Sequence, residues 1–160
     1  MATANKFSDG TLKKLSAQKL HTLLGEVTAL LMASSVHRKY EIRDIGDVIF
    51  PAINVGQYKI FRNTRRQPIA LVTWGRFSPE VEKKYLQGNP VLSEQELASG
   101  DRLYFLDFVA PYGHAKQVTS HLRKHVFPND LGISVRFTGN KKSPIKILKF
   151  HGVNYKKPLN

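Results

Sequence analysis

The 160-residue sequence has no cysteine, one tryptophan and two methionines, and its 12 Asp and Glu are outnumbered by 25 Lys and Arg. Without cysteine there are no disulfides, thiolate metal ligands or thiol nucleophiles, so any covalent or metal chemistry falls to other side chains. The absence fits a reducing compartment. No run approaches the ~18 apolar residues of a membrane span, and Met1-Ala2-Thr3-Ala4-Asn5-Lys6 lacks the basic start, apolar stretch and cleavage site of a secretory leader. A soluble, cytoplasmic protein is therefore expected. There is no internal repeat and no low-complexity linker. What is present, 41% apolar content over one domain's length, suffices for a packed core. One domain over residues 1–160 is expected, with mobile tails at 1–10 and 154–160.

The formal net charge of +13 predicts attraction to polyanions or acidic proteins. The basic residues are dispersed in small groups: Lys13-Lys14, Arg62 to Arg66, Lys116 to Lys124, Lys141-Lys142 and Lys156-Lys157. There is no single arginine-rich arm, which argues against nucleic acid as the partner. An acidic protein explains the same charge, because complementary potentials raise encounter rates and weaken with salt.

Ser16 is placed to cap a helix whose apolar residues Leu20, Leu23, Leu24, Val27, Leu30 and Leu31 recur at spacings of three and four. That helix should end near Ser34 or Ser35, followed by a short second helix or irregular connection before Pro51. Two β-rich runs, Gln57 to Arg62 and Pro68 to Trp74, predict an antiparallel hairpin with a basic tip. Ser78-Pro79-Glu80 starts a helix that Gly88-Asn89-Pro90 stops. Ser93 and Glu96 form a capping box for a short helix ending at Ser99-Gly100. A strand from Arg102 to Val109, a turn at Pro111-Tyr112-Gly113 and a helix from about His114 to Val126 follow. Strands at Ile133 to Phe137 and Ile145 to Phe150 flank a turn at Gly139 to Lys142. This order predicts an α/β fold, a single mixed and largely antiparallel sheet covered by helices.

Two polar segments at the ends of apolar ones offer a base and a carboxylate: Ser34-Ser35-Val36-His37-Arg38, and Ser99-Gly100-Asp101-Arg102 opening the strand. An imidazole is suited to proton transfer near neutral pH. Each residue also has a structural reading: His37 as a cation at a helix C-terminus, Asp101 as a turn residue, Ser34 as a helix-end hydroxyl. Asp107 interrupts an apolar strand and must be paired or solvated; a structural pairing is the expectation. His121 and His125 share a helix face, but with Arg123 and Lys124 between them and no glutamate they read as a solvated face, and no metal site is expected. Trp74 and Tyr104 fill a core or line a pocket. Packing is the default for His151.

The order of these segments resembles the toxin-activating lysine acyltransferases of RTX toxin operons. The resemblance runs from about Leu24 to Gly152. It includes Leu24-Gly25-Glu26-Val27, Ser34 with His37, Pro51-Ala52-Ile53, Gln57-Tyr58, Thr73-Trp74, Lys84-Tyr85, Ser99-Gly100-Asp101-Arg102, Val109-Ala110-Pro111-Tyr112-Gly113 and Phe150-His151-Gly152. It implies a fold similar to the GNAT acetyltransferases, with the acyl thioester beside the strand Arg102 to Val109. It further implies a fatty acyl group carried by acyl carrier protein as co-substrate, no permanently bound cofactor, an RTX protoxin as acceptor, and room for a homodimer. By motif position His37 is the base, Asp101 orients it, and Ser34 stands one helical turn from the imidazole. The resemblance leaves open whether His37 also accepts the acyl group. Ala110-Pro111-Tyr112-Gly113-His114 has one glycine and a proline where acetyl-CoA enzymes use a glycine-rich pyrophosphate loop, which points away from CoA. Tyr104 and Ala29-Leu30-Leu31 stand where relatives often carry tryptophans, and the sequence ends soon after Gly152, where better-known members continue. The alternatives are a non-catalytic basic module binding nucleic acid or an acidic protein, and an acetyl-CoA-dependent enzyme.

Overall fold

The computed structural model describes residues 15–137 and 145–157. The Ser16 side chain accepts a hydrogen bond from the Lys19 amide at 3.4 Å and starts α1, Ala17–Ala33. The spacing of its apolar residues puts Leu23, Val27, Leu30 and Leu31 on one buried stripe. Ser34 ends the helix in an extended conformation. A 3-10 turn at His37–Lys39 leads into α2, Ile42–Asp44, a π-helical turn at Ile45–Ile49 and α3, Phe50–Asn54. This stretch is more continuous than the sequence suggests. Pro51 has no amide to give the preceding turn, and the wider π turn before it absorbs the missing bond.

Five strands form one sheet in the order β1-β2-β3-β4-β5: β1 Tyr58–Arg62, β2 Pro68–Phe77, β3 Arg102–Val109, β4 Leu131–Phe137 and β5 Ile145–His151. All neighbours are antiparallel except β3 and β4. The sheet and its helices are the mixed α/β arrangement expected, consistent with a GNAT-like fold. The hairpin forms as anticipated, and the turn at Gly139 to Lys142 lies outside the described residues, as do the tail residues 1–10. Asn154 donates to the Pro128 carbonyl at 2.7 Å and Tyr155 to that of Gly152 at 3.1 Å, tying back the start of the segment expected as a tail. Among the described residues no helix is long and apolar enough to cross a membrane.

Strand alternation divides the core between the two sheet faces. On one face Leu71 and Val109 pack with the α1 stripe, Ile49 and Ile53. Further along, Phe77 and Tyr104 pack with α4 (Pro79–Leu86) and α5 (Glu94–Leu97), both capped by the serines identified in the sequence. On the other face Ala70, Val72, Leu103 and Phe105 receive Val118 of α6, Ala115–His121, and Leu122 of the π-helical turn Leu122–Val126.

Two irregularities shape the centre of the sheet. Val72 pairs with Phe108 and Trp74 with Phe105, so Thr73 alone faces both Leu106 and Asp107, a β-bulge. The parallel β3–β4 pairing covers only Leu103↔Gly132, Tyr104↔Ile133 and Phe105↔Ser134. Beyond it β3 runs on to Val109 and β4 to Phe137 with their facing edges unpaired.

Glycine positions give a paired stability prediction. A Cβ at Gly152 would collide with the Phe127 and Pro128 carbonyl oxygens, whereas one at Gly25, in the middle of α1, meets nothing within 4 Å. Gly152→Ala should lose about 1–3 kcal/mol in denaturant unfolding, since backbone must move to admit the methyl. Gly25→Ala should gain roughly 0.5–1 kcal/mol. Equal effects of the two substitutions would contradict this packing.

Candidate active site

The described residues include three buried polar or charged side chains, Ser34, Thr73 and Asp107; Ser34 and Asp107 flank one imidazole, and Thr73 holds Asp107. Burying polar groups is costly unless they are partnered, so their convergence identifies the region of the fold built for something other than packing. The end of α1 supplies the first of them. Ser34 Oγ lies 2.8 Å from His37 Nδ1 and accepts the His37 backbone amide at 3.3 Å, while the Ser34 carbonyl accepts from the Arg38 amide at 3.0 Å. The turn thereby fixes the ring. His37 Nε2 stands 3.9 Å from Asp107 Oδ1, with the imidazole 13% exposed and the carboxylate 2%.

Asp107 is held on every side. Tyr40 donates its hydroxyl to Oδ1 at 2.8 Å, and Thr73 donates to Oδ2 at 3.1 Å. The Asp107 amide, freed from the ladder by the bulge, donates to Thr73 Oγ1 at 3.1 Å. Thr73 therefore clasps both backbone and side chain of Asp107. The Tyr40 ring also meets His37 edge-on, with centroids 5.4 Å apart. Burial raises the Asp107 pKa, and the Tyr40 and Thr73 hydroxyls and His37 oppose that rise. Burial lowers the His37 pKa below 6.5, with the Asp107 charge acting in the opposite direction. The resting imidazole is thus neutral at pH 7. Tyr40 is pushed up by burial and by Asp107 and remains a hydroxyl donor. Nearby Tyr85 is pushed up to about 12, chiefly by burial.

The structure brings His37 and Ser34 together as expected, but it does not bring Asp101 to them. Asp101 is exposed immediately before β3. Six extended residues, roughly 20 Å at ~3.3 Å each, separate it from Asp107. Its observed role is structural: its carbonyl accepts from Arg76 Nη1 at 3.2 Å. The whole Ser99-Gly100-Asp101 motif is a corner. Ser99 Oγ accepts the Ser78 amide at 2.9 Å, the Gly100 amide reaches the Arg76 carbonyl at 3.0 Å, and a Cβ at Gly100 would collide with the Phe77 carbonyl. The acid beside the imidazole is Asp107, which the sequence offered as a charge inside an apolar strand.

Of the remaining candidates Trp74 and Tyr104 resolve as packing, whereas His125 and His151 are exposed, against the packing expected of His151. Trp74 meets Phe127 edge-on at 5.1 Å, and Tyr104 stacks on Phe77 at 4.8 Å while donating to Glu82 at 2.5 Å. His121 and His125 contact one another, and no group of three or more metal-ligating side chains occurs among the described residues. His151 is exposed against Tyr155. Tyr40 carries no motif, and Thr73 stood in the sequence only as part of the Thr73-Trp74 pair of the resemblance, with no role attached.

The RTX toxin acyltransferase family model matches residues 16–151. The leukotoxin-activating lysine-acyltransferase LtxC of Aggregatibacter actinomycetemcomitans is 37% identical over 138 residues, covering 86% of this chain and 80% of that protein. The protein-lysine myristoyltransferase HlyC of Escherichia coli is 32% identical over 137 residues, 86% of this chain and 77% of its own. An uncharacterized protein of Synechocystis sp., sll0720, is 32% identical over 130 residues, 81% of this chain and 88% of its own.

The facing of imidazole and carboxylate has a direct readout. The His37 ring, followed by NMR, should titrate below 6.5 in the native chain. In Asp107→Asn it should titrate lower still, because the substitution removes the one contribution that raises its pKa. An unchanged or higher midpoint in the variant would mean that the carboxylate does not act on the ring.

Proposed function

The chain belongs to the RTX toxin acyltransferase family, and on that premise we propose that it transfers a fatty acyl group from acyl carrier protein to lysine side chains of an RTX-type protoxin, activating it. The observation that carries the reading is an imidazole 3.9 Å from a buried carboxylate, on the strand whose pairing with its neighbour stops short. The names of two relatives agree with it: one acylates lysine and activates a leukotoxin, the other is a protein-lysine myristoyltransferase.

A lysine amine with an ordinary pKa near 10.4 is almost wholly protonated at neutral pH and cannot attack a thioester. His37 Nε2 takes the proton. For that the ring proton must sit on Nδ1, and Ser34 Oγ is the acceptor within reach at 2.8 Å. The amine nitrogen then bonds to the thioester carbonyl carbon, the C–S bond breaks, the departing thiolate takes the proton from His37, and the second amine proton, released as the amide forms, passes through the vacated Nε2 to solvent. Asp107 stabilises the imidazolium while it exists. Asp107 thus fills the role that motif position would give to Asp101.

Two features favour a carrier-borne thioester over acetyl-CoA. The loop after β3 contains one glycine, Gly113 at φ 83°, and Pro111 has no amide, so the loop offers no series of N–H groups to a pyrophosphate. The unpaired edges of β3 and β4 offer backbone donors and acceptors to an amide-bearing arm lying between them. The carrier is a co-substrate that arrives loaded and leaves as the thiol.

Single-turnover transfer from fatty acyl carrier protein to a protoxin lysine fragment, read by mass spectrometry, tests the reading. Native protein should yield the lysine amide. His37→Ala should slow transfer about 10²-fold or more, and Asp107→Asn should slow it by at least an order of magnitude. Asp101→Asn should stay near the native rate. Folded His37→Ala transferring at the native rate would remove the proposed base.

A further inference from the structure

Positive charge is distributed unevenly along the chain. From residue 108 onward there are ten Lys or Arg and a single acid, Asp130, and Asp130 is taken by Arg76 at 2.5 Å. Two of these cations are placed by the sheet itself. Arg136 on β4 faces Lys146 on β5 directly across the antiparallel ladder. Like charges so opposed repel each other. Among the described residues neither has a carboxylate within ion-pair distance. The sequence between the two strands, residues 138–144, adds Lys141 and Lys142 and no acid.

Position makes this pair more than a protected edge. Phe105 and Ser134 are the last pair of the β3–β4 ladder, and Arg136 lies two residues beyond it on β4, as Asp107 does on β3. The pair therefore flanks the place where β3 and β4 are no longer joined. Alternation along β4 puts Arg136 on the side of Gly132, whose missing Cβ makes room for Phe105. That is the α6 face, opposite the face carrying Thr73 and the α1 side of the site. Leu148, two residues from Lys146 and on the same face, is 40% exposed.

We infer that Arg136 and Lys146, with Leu148 beside them, are the docking surface for the donor's protein component: an acidic, helical carrier that meets the two cations with carboxylates and the leucine with an apolar side chain. A carrier seated there has the open end of the β3–β4 gap beside it, and an arm entering that gap from the α6 face emerges toward His37 on the other. A nucleic acid fits the patch less well, because the two cations adjoin exposed Leu148 and do not extend into a continuous basic stripe. The inference rests on the reading of acyl carrier protein as donor.

The test uses Arg136→Glu and Lys146→Glu in the full chain, with Lys83→Glu at an exposed position of α4 as comparison. Each single reversal on the edge turns a like-charged pair into an opposite-charged one, so folding is not put at risk. At low salt both edge variants should lose at least tenfold in kcat/KM for acyl carrier protein, and at least tenfold in binding of the unacylated carrier by biolayer interferometry. They should also show a flatter salt dependence than native protein. Lys83→Glu should match native. If native protein transfers from the carrier and the edge variants bind and transfer within twofold of it, the docking surface is wrong while the donor reading stands. If native protein uses a short acyl thioester but not the carrier, the donor reading fails and the docking surface fails with it. Edge-dependent binding of a single-stranded RNA oligomer without binding of the carrier would likewise overturn it.

Discussion

The Asp107 carboxylate, sealed from solvent between two strands, is the constraint around which the centre of this fold is arranged. An isolated charge in such a position would carry a desolvation penalty of several kcal/mol and would surrender its charge by taking up a proton. Here its two oxygens accept from Tyr40 and Thr73, groups contributed by the α1–α2 connection and by β2. The bulge makes this possible. With one residue of β2 opposite two of β3, the Asp107 amide leaves the ladder and turns onto Thr73 Oγ1, which gives that hydroxyl a donor and directs its own proton to the carboxylate. A regular ladder would have used the amide elsewhere. The irregularity of the strand and the satisfaction of the charge are therefore one arrangement.

The same arrangement accounts for how α1 ends. Its apolar stripe fixes the helix on the sheet through Leu71 and Val109, the latter two residues from Asp107 on the same strand. Where the stripe stops, Ser34 ends the helix and the next turn brings His37 and Tyr40 toward the carboxylate. Helix packing thus sets the distance between imidazole and acid, and the hydroxyls set their orientation. The sheet opens beyond the paired section of β3 and β4, so the gap, the acid and the base occur within a few residues of one another on the strand.

Much of this was legible in the sequence, and the exceptions are informative. Ser16, Ser78 and Ser93 announced their helices because N-capping is local: a hydroxyl and an amide three residues on are all it needs. The strands followed from apolar runs bounded by turn residues. The Ser34–His37 bond was visible because i to i+3 residues meet in a helical turn. Choosing between Asp101 and Asp107 was another matter. Both lie on odd-numbered positions of one extended run, but Leu103 and Phe105 face α6 and the bulge turns Asp107 and Val109 to the α1 face, a switch that alternation in the sequence does not announce. The Ser-Gly-Asp pattern drew attention because it is a conspicuous turn, and a turn is what it makes, with Gly100 pressed against the Phe77 carbonyl. Tyr40 had no signal of its own, and the Thr73-Trp74 pair gave Thr73 a place in the resemblance but no role. Their role exists only after three separate elements converge on Asp107. The π turn before Pro51 escaped notice because proline reads locally as a helix break, whereas the chain widens and continues.

The 3.9 Å between His37 Nε2 and Asp107 Oδ1 is beyond hydrogen-bond length, and that spacing suits a base better than a closer one would. At an effective dielectric near 20, unit charges this far apart attract by on the order of 4 kcal/mol before desolvation is subtracted. Desolvation prevails over that attraction in the resting site, since His37 is held below its ordinary pKa despite the carboxylate. A shorter, bonded pair would favour the imidazolium at rest and leave no lone pair to take a proton. At the observed distance the ring rests neutral, and the carboxylate's field acts fully only once a proton has arrived. A movement of about an ångström then completes a charge-assisted bond. The hydroxyls of Tyr40 and Thr73 favour the charged form of Asp107 against the burial that raises its pKa while it has no bond to the ring. A buried acid without those donors would take up the proton itself, and the imidazole would lose the charge that stabilises its protonated form.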